Sequence, residues 1–396
     1  MIQSKIHGWW SVVRREVRRI HSDTNIFVVI LLAPLFYAFF YGSIYSLKSE
    51  WDVPIAIVDQ DHSQVARDLI RYLDSSKLVR IAEQPATYAE AVAGLMEMRV
   101  HGIVYIPEDF SVQIKRGRTA HLPVYLNTSR FLIANDISKA VAEVSGTLAG
   151  GIRLHFFESA GFSRAQALEM IEPLEVEHKA LFNPTDSYGD FLIPGLLVMI
   201  LQQTLLIGLA ESVAKEREFG TLGELYRISG KSTWAVMSGK GFFYLVLYLA
   251  YAFFFYGSLF ALFRIPFRGS ITALALLTVL FLLAVIYFSL FISSFFGKKI
   301  VAMQFFVFTS YPLFLLSGYS WPLDSMPWAV RSFSQLLPCT PYLQAFVRIT
   351  QMGAGWRHVS GEFLHLALLT LIGLAVARWR IRGQLRGVFY EKKSQD

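Results

Sequence analysis

Ser229-Gly230-Lys231-Ser232 reads like the end of a phosphate-binding loop, in which backbone N–H groups and a lysine cradle phosphates. That loop needs another glycine five positions before Gly230, where Leu225 stands. Gly223 is two residues too far back, and no valine-rich strand leads in, so nucleotide binding by this route is excluded. His358, Glu362 and His365 recur at four- and three-residue steps, which would place three metal-ligating types on one helix face. They also sit where an apolar run leaves its interface, a place where polar side chains are expected without any metal. No His-Glu-x-x-His, paired cysteine, Gly-x-Ser-x-Gly or Gly-x-Gly-x-x-Gly pattern occurs. Enzyme chemistry has no visible home, and no cofactor is expected in this chain.

Three amides and one charged run remain. Gln202, Gln203 and Gln304 fall inside apolar runs, where each amide must find a partner. Interhelical hydrogen bonding and a polar-lined substrate path both account for them. The charged run is Lys215-Glu216-Arg217-Glu218-Phe219-Gly220-Thr221-Leu222-Gly223-Glu224-Leu225, between two long apolar stretches. It sets opposite charges on one turn, with Phe219, Leu222, Leu225 and Tyr226 at helical spacing. The pattern predicts a surface that a partner can grip, with an apolar spine pressed on membrane helices.

These residues are positioned by a chain that is too apolar for an ordinary soluble protein, at 54% hydrophobic over 396 residues. Runs near span length carry almost no charge, and we place membrane-crossing helices at 26–44, 191–210, 242–263, 271–292, 300–316 and 363–377. No acid falls inside them, which argues against a proton-coupled transporter. The net charge of +7 gathers at the ends of the chain. Arg14, Arg15, Arg18 and Arg19 lie at one end, and Arg378, Arg380 and Arg382 begin a basic tail over 378–396. That bias marks cytoplasmic flanks rather than a nucleic-acid surface, so both termini and the 211–240 loop are expected inside. Residues 1–25 form an amphipathic segment, with Ile6, Trp9, Trp10, Val13 and Val17 near one face. It reads equally as a helix lying in the membrane interface or as a positive anchor for the first span. The lone Cys339 permits no intrachain disulfide.

Between the first two spans, 45–188 alternates strand and helix signals: strands at 53–58, 102–106 and 123–126, helices at 63–73 and 87–98. A small extracytoplasmic α/β domain with a partly parallel sheet follows. Ile137, Val141, Val144 and Leu148 form a seam in a later helix, for packing inside this domain or on a second copy. Residues 317–360 hold two short amphipathic helices, one with Trp328, Phe333, Leu336 and Leu337, the other with Leu343, Phe346 and Val347. They are too short to cross and are expected to dip into the outer leaflet and return. The fold class is an α-helical polytopic membrane protein of six spans carrying an inserted extracytoplasmic α/β domain.

The charged run resembles the Glu-Arg-Glu-x-Gly-Thr motif of ABC-2 type permeases, here Glu216, Arg217, Glu218, Gly220 and Thr221. Residues Ser317 to Pro327 look like that family's outer Ser-Gly-x-x-x-Pro-x-x-x-Met-Pro segment, and Pro338, Thr340 and Pro341 its following turn. The order of parts matches the subgroup with a large domain between the first two spans. The resemblance implies a non-enzymatic transport subunit of an exporter in the bacterial inner membrane. ATP and Mg would be bound by a separate ATPase subunit. Glu216, Arg217, Glu218, Phe219, Gly220, Thr221 and Glu224 would then form a coupling helix seated on that ATPase, with Gly220 supplying flexibility or close approach. It also implies a second permease, identical or sister, contact with membrane lipid, and a periplasmic adaptor with an outer-membrane channel as further partners. A sensor or envelope scaffold acting through the outer domain is the alternative, but only the short basic tail follows the last span. A channel would need a filter segment that is absent.

Overall fold

The computed structural model describes residues 2–46, 52–171, 181–184 and 187–393. They form two compact units, 1–48 with 180–396 and 49–179. Within the expected inserted domain, residues 47–51, 172–180 and 185–186 lie outside the described residues, as do residues 394–396 of the expected tail.

Helix α1 (Ile2–Ser22) opens the first unit. Val12, Val13 and Ile20 bury against the unit's own core, while Trp10 is exposed. The apolar face expected in the membrane interface is therefore split between packing and surface. Asp23 accepts from the Asn25 N–H and caps α2 (Thr24–Ile44), the first of six helices long and apolar enough to cross a membrane among the described residues. The turn at Val28–Leu32 is π-helical just before Pro34, with the Ala33 N–H reaching back to the Val28 carbonyl. A wider turn is one way to absorb the hydrogen bond that a proline removes.

The second unit holds β1 (Val53–Asp59), α3 (Gln64–Asp74), β2 (Val79–Glu83), α4 (Tyr88–Met96), β3 (Gly102–Ile106), α5 (Phe110–Lys115), β4 (Val124–Leu126), α6 (Phe131–Ser159) and α7 (Arg164–Ile171). The sheet order is β2-β1-β3-β4. β1 is parallel to both β2 and β3, and β4 is antiparallel to β3. The β-branched run of β1 is central and buried, as a strand covered on both faces must be. Strand β2 carries Arg80 and Glu83 on a half-exposed edge, a pattern too polar to announce itself. Helices α3 and α4 begin one residue later than expected because Ser63 and Thr87 are their N-caps, accepting from the Ala66 and Glu90 N–H groups. The Ile137–Val141 part of the α6 seam is buried in this unit's own core, with Val144 and Leu148 packed on it.

The first unit resumes with α8 (Tyr188–Glu218), α9 (Leu222–Ile228), α10 (Thr233–Leu262), α11 (Ile271–Ser293), α12 (Lys299–Leu316), α13 (Trp328–Ser334), α14 (Cys339–Thr350) and α15 (Trp356–Lys393). The inserted sheet and the six long apolar helices give the fold class expected from sequence. Helix α8 is buried along most of its length and serves as the axis of this unit. It outruns the 191–210 expectation, and its acids Asp190, Glu211, Glu216 and Glu218 all lie on the helix outside that stretch. Helix α15 continues well past 377, placing Arg378, Arg380 and Arg382 on helix rather than in a tail. Of the two short helices, α13 leaves Trp328 and Phe333 exposed, whereas α14 is buried among the long helices, with Tyr342 stacked on Phe281.

Close approach of α8 to the first span depends on Gly208. A Cβ there would lie 2.1 Å from Ile30 Cγ2, far inside contact distance. We predict that Gly208→Val destabilises the solubilised protein by about 1–3 kcal/mol through overpacking. Ile30→Ala in the same chain should recover part of that loss. Thermal midpoints of the three variants check this; additive losses would contradict it.

Candidate functional site

The charged run is not a separate helix. Glu216, Arg217 and Glu218 are the last turn of α8, and the helix stops at Gly220. The Thr221 N–H bonds to the Glu216 carbonyl and the Gly220 N–H to the Arg217 carbonyl. This is the paired-bond ending in which the residue after the cap turns left-handed. Gly220 has φ +66 and nothing within 4 Å of where its Cβ would stand. Backbone sign, and not the close approach expected from sequence, is what calls for glycine here. The chain turns, and α9 begins at Leu222 with Leu225 buried and Leu222 and Tyr226 packed on the core. Phe219, expected on that same stripe, is left 59% exposed by the turn.

Glu216 points inward and is almost fully buried. Its Oε1 accepts from Arg15 at 2.7 Å and from Arg19, both on α1, and lies 3.4 Å from Lys240 Nζ on α10. Its Oε2 accepts from the Thr221 hydroxyl, which accounts for threonine at that place in the motif. Lys240, equally buried, donates to Glu16 Oε2 at 2.7 Å and to Ser212 Oγ at 2.8 Å. The Ser212 hydroxyl in turn donates to Glu16. One buried lysine is thus bracketed by two buried carboxylates from different helices. An isolated charge in such a place would cost several kcal/mol, on the order of the penalty for any desolvated ion. Pairing makes the burial possible and ties α1, α8 and α10 together.

A second ionic group lies one turn away. Lys215 pairs with Asp23, and Lys299 Nζ lies 3.6 Å from Asp23 and 3.7 Å from buried Glu211. Burial acts to raise the Asp23 carboxyl, but the Lys215 hydrogen bond and charge, the Lys299 charge and the Asn25 N–H outweigh it. They hold it below its ordinary value of 3.8. Arg217 donates to the carbonyls of Ser294 at 2.6 Å and Phe296 at 3.1 Å. Glu218 accepts from the Lys299 N–H at 2.9 Å.

Of the seven residues expected to face a partner, Glu216 therefore serves the interior, Thr221 serves Glu216, and Arg217 and Glu218 hold the turn after α11. Phe219, Gly220 and Glu224 stay on the surface, with Glu224 Oε2 3.6 Å from Arg15. Lys240, Glu16, Ser212 and Asp23 were not singled out from sequence. The signal was available, since a lysine at the edge of the apolar 242–263 run and a glutamate among four arginines are ionisable groups at a membrane boundary. Gln202 is buried, the neighbouring Gln203 is half-buried, and Gln304 is exposed on α12. His358, Glu362 and His365 do not converge as a ligand set. Glu362 pairs with Arg348, and His365 Nε2 meets the Gln335 carbonyl. Gly230 and Lys231 end α9 with positive φ, and Ser232 caps α10 through the Ala235 N–H, so the phosphate-loop look-alike links two helices.

Residues 25–379 match the profile described as ABC-2 family transporter protein. The probable multidrug ABC transporter permease YbhS of Escherichia coli K12 is 27% identical over 335 residues, 83% of this chain and 85% of that protein. The probable multidrug ABC transporter permease YbhR of the same strain is 25% identical over 340 residues, 84% of this chain and 86% of that one. The inner membrane transport permease YhhJ of E. coli is 23% identical over 389 residues, covering 93% and 95%. This chain belongs to the ABC-2 transporter family and is an integral membrane protein.

Glu216→Ala leaves buried Lys240 and half-buried Arg19 without one of their counter-charges. We predict a loss of about 3–5 kcal/mol, read as a collapse in the yield of monodisperse protein. Glu224→Ala, on the surface, should cost about 0–1 kcal/mol. Equal effects would contradict the division of the motif into an inner and an outer part. For Asp23, a depressed folded-state pKa means its tie is fully present above about 4 and is lost as pH falls through the depressed value. Lys215→Met should move that loss to higher pH in an acid titration of the thermal midpoint; an unmoved curve would argue against the pairing.

Proposed function

We propose that this chain is the membrane subunit of an ATP-driven exporter, with ATP and Mg bound by a separate ATPase chain and no catalysis of its own. The observation that carries the reading is the split end of α8. Its inner side is fixed by buried ion pairs, while Phe219, Gly220 and Glu224 present an apolar and acidic knuckle outward. An exposed aromatic beside a turn of fixed geometry is the kind of anchor that fills a pocket on a partner. Because the knuckle is the end of the most buried helix, force applied there is delivered to the axis of the bundle.

In this reading the termini and the 211–240 loop are cytoplasmic, and the inserted α/β unit lies outside the bacterial inner membrane. The basic flanks Arg14, Arg15, Arg18, Arg19, Arg378, Arg380 and Arg382 support that orientation. Two permeases, identical or sister chains, work with two ATPases, and a periplasmic adaptor with an outer-membrane channel extends the route. The cargo class is drug-like, after the printed names of YbhS and YbhR.

The test is affinity recovery of the tagged chain from gently solubilised membranes, with mass spectrometry of what accompanies it. An ATPase bearing a phosphate-binding loop is expected in stoichiometric amount, and Phe219→Asp should lower its recovery about tenfold or more, as removal of an interface anchor does. No ATPase in any of several detergents would contradict the reading.

A further inference from the structure

Arg217 and Glu218 are adjacent on the last turn of α8, yet each grips a different helix. Arg217 donates to the Ser294 and Phe296 carbonyls, just beyond the C-terminus of α11. Glu218 accepts from the N–H of Lys299, the first residue of α12, whose own cap residue Lys298 offers no side-chain hydrogen bond. The signs match the helix dipoles: a cation sits on carbonyls at one helix end, and an anion sits on an N–H at the start of the next. Free carbonyls and N–H groups at helix ends need partners, and here both sets are served from one neighbouring helix. Two residues of α15 hold the same turn from another side. Gln384 donates to the Ser294 carbonyl at 2.6 Å, and the Arg380 guanidinium lies 4.7 Å from the Phe295 ring centre.

We propose that Arg217 and Glu218 are positioning residues that make the fifth span follow the end of the second, so that one displacement of the 216–225 segment is transmitted to both. The inference rests on the reading that a partner ATPase drives this segment. The fifth span packs along the second, and Lys299 Nζ also reaches Asp23 and Glu211, so the clamp acts together with that packing at the cytoplasmic end of the span. Displacing the end of α8 without the 294–299 turn breaks the Arg217 and Glu218 bonds at both helix ends together; moving the turn with it keeps those three bonds. Arg217 and Glu218 then serve the permease's own mechanics rather than a partner's surface.

The experiment uses the full chain co-purified with its ATPase, with Cys339→Ala as background and spin labels in pairs. One pair, Arg227→Cys with Val246→Cys, reports the segment; the other, Phe308→Cys with Val246→Cys, reports the fifth span. All three labelled positions are exposed on this chain. Distances are compared with ADP and with ATP-Mg plus vanadate. Both pairs should change in the parent, and in Glu218→Ala or Arg217→Ala only the segment pair should. Glu218→Gln, which keeps an acceptor for the Lys299 N–H, should restore part of the fifth-span change; a purely structural defect would not be rescued in this way. If both pairs still respond in the Ala variants, the clamp is overturned while the ATPase reading stands. If the segment pair is silent in the parent, the ATPase reading fails and the clamp with it.

Discussion

Lys240 and Glu216 are both almost wholly buried at the edge of a bundle built to sit in lipid, where neither charge can borrow water. Everything around them follows from that. Lys240 must be matched, so Glu16 is brought from α1 and Glu216 from α8, and the surplus acid is met by Arg15 and Arg19. Such an arrangement adds little net stability compared with a well-packed apolar core, because desolvation offsets much of the attraction. What it adds is specificity. The pairs join α1 to α8 and α10 at several points at once, so the helix before the first span is tied to the segment after the second.

The motif that looked like a charged handle is thereby divided. Its first charge holds the interior, the next two hold the ends of neighbouring helices, and the glycine ends α8 by adopting a backbone sign that other residues resist. Around that glycine the chain offers Phe219, Gly220 and Glu224 outward. The result is a turn fixed on its inner side by ion pairs, with a small exposed face.

The architecture was legible because its signals are strong and local: apolar runs of span length, strand signals at 53–58 and 102–106, and helix signals at 63–73 and 87–98. Strand β2 was hidden because it is a five-residue edge strand in which only Val79 is fully buried. The full lengths of α8 and α15 were not legible because hydropathy stops where charge begins, while helix geometry carries on through Glu211, Glu216 and Arg378. The charged segment was visible as a motif, but its internal geometry was not. Nothing in the order Glu-Arg-Glu says that Glu216 meets Lys240, a residue 24 positions later whose neighbours are glycines and aromatics. Pairing across helices is a property of packing, and a single sequence does not encode it in any local pattern.

The most direct test of this division is a photo-crosslinking scan, with a photoreactive residue placed at single positions from 216 to 226 in cells that make the whole transporter. The account predicts adducts to a second polypeptide from 219, 220 and 224, and only internal or no adducts from 216 and 225. Efficient capture of a partner from 216 or 225, with 219 and 224 silent, would mean that the inner face of the motif is the docking surface and would contradict the account.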